Sequence, residues 1–587
     1  MAPASSPQSA ASRRLVLLCV LAAGLGVAGG AAAWVLLRLI RLLTSLLIFH
    51  EWSTSHPPLS ELDPGPGLVV VAVLGGIVIS LMARWAPLIR GHGIPEAMEA
   101  ILVRQSRISG RTAVAKPVSA ALAIGTGAPF GAEGPIIVTG SAIGSMLGQV
   151  VPVSATERKI LLAAGAAAGM AATFGAPLAS VVLAVELLLF EFSTRAFIPL
   201  VVAASIAGGM HALLFEQGPI FTVPVHDYAG LAVLPAFLVL GVACGLYAVV
   251  ISKGLYLVED GYRRLPIPAF WHPALGALVF ASIGLAVPRA LGVGYDVIDD
   301  FLADRLAVGT VAVIVLAKIV AWWFALGSGT SGGTLAPILL MSSGFGVLAG
   351  HAVEAVVPGA GLAPGAFAVV AMAATFGAST RATFTSIVFV FELTRDYEVI
   401  LPLMLATVVA DLVARRLMRE SILTEKLTRR GLRVRHQYEL DPFRTTTARQ
   451  IMTADVETVA AADTVEEVRA RFARRGHSTY PVMDGTRCVG AVTRGELLDV
   501  ADRPGDTVGD HLERDLVSVA PDDLAITVVE RMLAGEADHA LVLDGDALVG
   551  ICTRTDLLRI REAQLAAEQR QTGHWSSAVS RLRLGEA

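Results

Sequence analysis

Charge is scarce in this sequence. Asp, Glu, Lys and Arg make up 16% of its 587 residues, against about 25% in an ordinary soluble chain. With 54% hydrophobic residues and a mean hydropathy of +0.65, a wholly soluble fold is excluded. Cysteine is scarcer still, with four residues. Cys19, Cys244, Cys488 and Cys552 are scattered and form no CxxC pair, which argues against a disulfide framework and a zinc site. Cys488 and Cys552 read as core hydrophobes of a soluble tail. A formal net charge of -4 offers no sign of a nucleic-acid binder. No His-Glu-x-x-His helix is present: His50-Glu51 is followed by Trp52-Ser53-Thr54, which argues against an intramembrane metalloprotease. Carboxylates inside the apolar runs are few and dispersed, which argues against a magnesium transporter built on hard oxygen ligands.

What the chain does have is unevenly spread. Residues 14–418 hold the long apolar runs, and residues 430–587 read as soluble sequence. Arg13-Arg14 before Leu15 imitates a signal peptide. The apolar stretch runs on to Leu47, however, interrupted only by Arg38 and Arg41, which is too long for a signal core and fits a tilted first membrane helix. The paired arginines favour a cytoplasmic N-terminus. Further apolar segments fall near 68–86, 112–129, 134–150, 157–173, 177–191, 195–214, 229–256 and 270–290, then 308–326, 335–356, 362–377, 382–393 and 397–418. Several are too short to cross a bilayer of roughly 30 Å. Short helices at membrane depth are tolerated when buried in protein or lining a cavity, so the reading is of broken helices meeting near the midplane.

Glu133 stands out in this pattern. Between Lys116 and Glu157 it is the only charged residue, and it lies in Gly131-Ala132-Glu133-Gly134-Pro135. A charge at a membrane helix centre costs about 2.5–3.5 kcal/mol on insertion scales, so such a group faces a water-filled path or a polar partner. The flanking glycines and the proline break one helix and start another. A restarting helix directs free N–H groups and its positive dipole end at what precedes it, which suits an anion or a carboxylate competing for the same place.

An internal repeat gives this segment a partner. Met170 to Ala176 recurs identically as Met372 to Ala378, and at the same offset Gly131 to Pro135 aligns with Gly333-Thr334-Leu335-Ala336-Pro337. Ile143-Gly144 aligns with Phe345-Gly346, and downstream Ser180 to Glu186 resembles Ser386 to Glu392. Paired broken helices in two homologous halves point to a substrate site at their interface. Glu186 and Glu392, on repeat-related helices, read as structural. Asp296, Asp299 and Asp300 follow Gly294 in a short polar segment that reads as surface. The glycine-rich run from Gly327 to Gly333 reads as an anion cradle. The tail repeats too: Asp484-Gly485, Val489-Gly490 and Thr493 to Leu498 match Asp544-Gly545, Val549-Gly550 and Thr553 to Leu558. Each module reads strand, helix, two strands, helix.

Gly91-His92-Gly93-Ile94-Pro95, Gly131 to Pro135 and Gly333 to Pro337, in this order and spacing, resemble the CLC family of chloride channels and chloride/proton antiporters over about 14–428. The tail resembles a pair of CBS domains. The fold implied is an all-α polytopic membrane protein of two homologous, inverted halves with broken helices, followed by a cytoplasmic α/β CBS pair. The expected layout is a cytoplasmic segment 1–13, a membrane domain 14–428, a linker 429–445, CBS modules 446–503 and 504–565, and a tail 566–587. The resemblance further implies a cell-membrane homodimer with cytoplasmic termini and one anion path per subunit.

In that family the three motifs converge on a chain of anion sites. Glu133 would be the gate. Gly91, His92 and Gly93, then Ala132 and Gly134, then Thr334 and Leu335, would face the anion. Three residues depart from the family pattern. His92 stands where serine is usual. Leu423 aligns with the pore tyrosine. Leu187 follows Glu186 where antiporters carry a proton-transfer glutamate. Leu187 favours passive, gated conduction, with chloride/proton exchange as the alternative. His92 and Leu423 leave nitrate, fluoride or bicarbonate open beside chloride. No cofactor is required. Asp556 with Thr553, and Glu496 at the paired position, match residues that contact an adenine nucleotide in CBS pairs, a structural or dimer-forming tail being the other reading.

Overall fold

The computed structural model of the chain describes residues 7–190, 192–215, 218–224, 234–358, 363–432, 443, 446–475, 479–500, 503–512, 517–560 and 562. Most of the expected linker and the expected 566–587 tail lie outside the described residues. The chain divides into two compact units, Met1–His436 and Gln437–Ala587.

In the first unit the apolar runs have become helices, since backbone groups at membrane depth must pair within their own segment. The first half holds α1 (Pro7–Thr44), α2 (Gly67–Trp85), α3 (Ile94–Val103), α4 (Gly110–Gly125), α5 (Glu133–Val150), α6 (Ala155–Phe174), α7 (Pro177–Leu183) and α8 (Thr194–Leu214). The second holds α9 (Leu234–Arg264), α10 (His272–Ala286), α11 (Tyr295–Leu302), α12 (Val308–Gly327), α13 (Leu335–Val356), α14 (Pro364–Thr380), α15 (Thr383–Thr394) and α16 (Ile400–Leu417), and α17 (Glu425–Arg429) follows. Among the described helices, α1, α2, α8, α9, α12 and α13 are long and apolar enough to cross a membrane. By contrast α3, α7, α11 and α15 have only 10, 7, 8 and 12 residues, so each spans at most about half a bilayer.

The two halves share one plan. α5 packs on α6 as α13 packs on α14, and α1 on α8 as α9 on α16. Across the halves α2 meets α10 and α7 meets α15. The equivalent residues Gly131 and Gly333 pair antiparallel, Gly333 N–H to Gly131 O at 3.0 Å and Gly131 N–H to Gly333 O at 3.4 Å. Equivalent residues that exchange both bonds lie on a local two-fold axis. The same relation appears in two carboxylates. Glu186 accepts from the α15 start, at Thr385 N–H (2.9 Å) and Oγ1 (2.6 Å). Glu392 accepts from the α7 start, at Ala179 N–H (2.6 Å) and Leu178 N–H (3.1 Å). Each half thus caps a helix of the other.

Small residues set the packing distance, as is usual where lipid removes the hydrophobic drive between helices. A Cβ at Gly140 would overlap the Gly165 carbonyl oxygen, and one at Gly144 the Leu161 carbonyl oxygen. In the second half a Cβ at the equivalent Gly346 would overlap the Phe367 carbonyl oxygen. At the helix ends, Glu157 closes a capping box with Ser154 and receives Arg14 (Nε, 3.0 Å) and Arg195 (2.8 Å), fixing the starts of α6, α1 and α8 together.

The second unit holds two three-stranded sheets. β1 (Val459–Ala460) runs parallel to β2 (Thr479–Asp484), and β2 antiparallel to β3 (Arg487–Thr493). β4 (Ser518–Val519), β5 (His539–Asp544) and β6 (Ala547–Thr553) repeat the plan. Irregularities at Val482/Met483 and Val542/Leu543 fall at matching places. The leading segment of each module crosses to the other. Ala448 lies in the core of the β4–β6 module, and Val508 in that of the β1–β3 module. Cys552 is buried there, and burial pushes its thiol up to about 12, which makes it a packing group.

Gly140→Ala is expected to push α5 off α6 and destabilise the membrane unit by about 1–3 kcal/mol. Gly24→Ala, with open space around it, is expected to be neutral. Thermal unfolding of detergent-purified protein, followed by loss of the monodisperse peak, checks both.

A candidate anion path at the meeting of three helix starts

The Gly91–Pro95 turn precedes α3. Gly91 and Gly93 adopt φ of +86° and +98°, a region that a side chain would strain. The Glu96 carboxylate accepts the Gly93 N–H at 2.9 Å, and Pro95 near the helix start has no N–H to leave unpaired. Fully buried Lys116 donates to the carbonyls of Ile89 and Gly91, each at 2.7 Å. Gly91 N–H bonds Thr330 O at 3.3 Å, and Gly91 pairs with Ser331. Gly134 lies so close that a Cβ there would overlap the His92 carbonyl oxygen and stand 3.2 Å from Gly333 Cα. The three glycine-bearing turns are therefore one assembly, with the starts of α3, α5 and α13 drawn together.

Glu133, the first residue of α5, is fully buried in it. Its Oε1 accepts the Tyr295 hydroxyl at 2.6 Å. Its Oε2 has no partner in good hydrogen-bond geometry among the described residues, although the N–H groups of Glu133 and Ala336 act on the carboxylate. His92 Nδ1 and Thr334 Oγ1 are likewise buried without a partner among the described residues. Polar atoms left unpaired in protein cost about 1–3 kcal/mol each. Three of them lie along this one assembly. Neutral N–H groups and helix dipole ends at such a place favour an anion.

The other expected contacts divide. Ala132 and Thr334 are the buried residues before α5 and α13, and Leu335 opens α13. Leu423 is fully buried in apolar packing, and its N–H bonds Ser421 Oγ at 3.2 Å. Neighbouring Tyr256 spends its hydroxyl on Ile422 O at 2.8 Å, so it does not replace the missing pore hydroxyl. In the second unit, Glu496 accepts Thr493 N–H at 2.7 Å and Asp556 accepts Thr553 N–H at 2.9 Å, each closing a helix start. Asp556 also receives Arg559 at 3.1 Å.

Two chambers adjoin the assembly. One of about 460 Å³ is lined by Gly91, His92 and Lys426. Another of about 930 Å³ is lined by Gly294, Tyr295 and Asp296, with Arg38, Arg41 and Arg289. The segment after Gly294 is thus not plain surface. It opens amphipathic α11, whose Asp296 accepts the Ser60 hydroxyl, and whose Tyr295 reaches Glu133.

Tyr295 and Lys318 were not singled out by sequence reasoning, yet the signal existed. Gly292-Val293-Gly294 repeats the Gly-x-Gly of residues 91–93, with the same positive φ at both glycines (+57° and +82°). Lys318 is the repeat of Lys116, is also fully buried, and donates to Gly292 O at 2.7 Å.

Comparison with known proteins identifies the family. The model of the voltage gated chloride channel family matches residues 74–415, and CBS domain models match 448–503 and 508–563. A putative chloride channel protein, ClcB-like, of Ralstonia nicotianae is 31% identical over 361 residues, 61% of this chain and 83% of that one. The H(+)/Cl(-) exchange transporter ClcA of Vibrio parahaemolyticus is 31% identical over 373 residues, 62% of this chain and 79% of that one. The crystal structure of a slow cyanobacterial Cl-/H+ antiporter superposes with a TM-score of 0.61 at 27% identity, covering 71% of this chain and 98% of that one. The chain belongs to the CLC family of chloride-transport proteins, as a polytopic membrane protein with two CBS domains.

Tyr295→Phe keeps the ring against Phe221 (centroids 5.6 Å apart) and deletes the bond to Glu133. A hydrogen bond to a charged group contributes about 1.5–3 kcal/mol, so the carboxylate should leave its place roughly tenfold more often or better. Chloride uptake by proteoliposomes should rise accordingly, while Glu133→Gln/Tyr295→Phe should match Glu133→Gln alone.

Proposed function

We propose that the membrane unit passes chloride, or a similar small anion, through a path in each subunit that Glu133 opens and closes. One observation carries this reading. The Glu133 carboxylate lies fully buried at the joined starts of α5 and α13, held by the Tyr295 hydroxyl, with the N–H groups of Glu133 and Ala336 acting on it. A carboxylate in a setting of N–H donors competes with a mobile anion for the same donors. Protonation cancels its charge, weakens its hold on the donors and leaves them to the anion. Because those donors are neutral, binding is weak enough to release as well as admit.

Passive conduction is the mode the residues favour. Leu187 is buried and apolar, and Glu186 beside it is occupied in capping α15. Exchange against protons is the second reading, favoured by the exchanger named in Vibrio parahaemolyticus and the cyanobacterial antiporter. The proposal includes a homodimer in the cell membrane with both termini cytoplasmic. In it the CBS unit acts as regulator and takes an adenine nucleotide beside Glu496, Thr553 and Asp556.

Chloride flux from proteoliposomes tests the gate. Wild-type flux should rise as pH falls, and Glu133→Gln should hold flux high and independent of pH. Unchanged flux and pH dependence in Glu133→Gln would refute the gate. The coupling mode is read in the same vesicles: uphill proton movement driven by a chloride gradient means exchange, and its absence means passive conduction.

A further inference from the structure

Lys426 stands three residues after Leu423, in α17. Its ammonium bonds Glu96 Oε1, while Glu96 Oε2 holds the Gly93 N–H at 2.9 Å. A Cβ at Gly91 would come within 2.7 Å of Lys426 Nζ. The ammonium of Lys426 therefore lies against the first-motif turn at Gly91. The pair is also lopsided: the Lys426 side chain is 19% exposed and that of Glu96 4%. The cation faces the chamber, and the carboxylate sits behind it. That chamber is lined by Arg90, Arg263, Lys426 and Arg430 against one carboxylate, Glu259. Of these cations Arg263 is held by Glu259 at 2.5 Å, Arg430 by Glu99 and Lys426 by Glu96. Lys426 is the one placed directly over Gly91.

We propose that Lys426 is an anion-recruiting residue at the chamber end of the path. It offers a charged donor to a small monovalent anion beside the Gly91–His92 turn, where Leu423 offers none. Glu96 acts as a positioning residue, fixing the ammonium and the α3 start with its two oxygens. A clef lined by one sign of charge raises the local concentration of the opposite ion. Lys426 is 19% exposed and already paired with Glu96, so it draws anions without trapping them.

The inference rests on the reading that this path carries anions, and the test separates the two. Chloride flux is measured in proteoliposomes against chloride concentration on each side in turn, at fixed ionic strength. Lys426→Gln should raise the half-saturating chloride concentration about tenfold on the chamber side alone, with the maximal rate much less changed, and Lys426→Arg should restore it. Because Lys426→Gln bares Glu96, the neutral double variant Glu96→Gln/Lys426→Gln is the stricter measurement. The same one-sided rise supports recruitment, and a wild-type concentration dependence overturns it. If wild type passes chloride and Glu133→Gln alters that flux while both Lys426 variants match wild type, the inference falls and the path stands. A wild type that passes no chloride removes the path itself.

Discussion

Everything in the membrane unit depends on one meeting, that of Gly131 with Gly333. Two equivalent glycines exchange backbone hydrogen bonds, and the helices that follow them start back to back. Helix starts present unpaired N–H groups and partial positive charge. Two of them brought together at membrane depth would be an electrostatic liability in an apolar medium. The chain answers with the Glu133 carboxylate, which fills the place with negative charge. The cost of burying that acid and the cost of the bare helix starts offset each other. Neither can be removed without exposing the other.

The surrounding packing keeps this meeting in register. The glycines of α5 and α6, and those of α13 and α14, let backbones touch where any side chain would part them. Glu186 and Glu392 reach across to cap helices of the opposite half. Lys116 and Lys318 tie down the carbonyls of the two Gly-x-Gly turns. With those carbonyls engaged by buried ammonium groups, the turns have fewer acceptors left to oppose an anion nearby.

Much of this was legible in the sequence, for physical reasons that also mark its limits. Apolar runs and Gly–Pro breaks gave the helices and their shortness, because both signals are local. Glu133 was legible because an isolated charge in an apolar run is conspicuous. The three motifs could be ordered, and the repeat paired two of them. Tyr295 was not found because its partner is 162 positions away and its own segment looks polar and short. Its turn also repeats at an offset one residue different from that of the main repeat, 201 against 202, so alignment at the main offset passes over it. The pairing of Glu96 with Lys426 spans 330 positions and leaves no periodic trace. The crossing of Ala448 and Val508 between the CBS cores was hidden for the same reason, since a strand pattern does not name its neighbour.

The repeat also shows where function departs from scaffold. The equivalent of Glu133 is Leu335, so the symmetric cradle holds a single acid. The equivalents of His92, Ile94 and Glu96 in the second turn are Val293, Tyr295 and Val297. At one turn the chain therefore places an imidazole and the carboxylate that anchors Lys426. At the other it places the hydroxyl that bonds Glu133. A symmetric scaffold with equal turns would present the same surface to both chambers and no preferred resting place for a carboxylate. The substitutions at these few positions assign the Tyr295 hydroxyl to one turn and the Lys426–Glu96 pair to the other, while the backbone that holds them stays common to both.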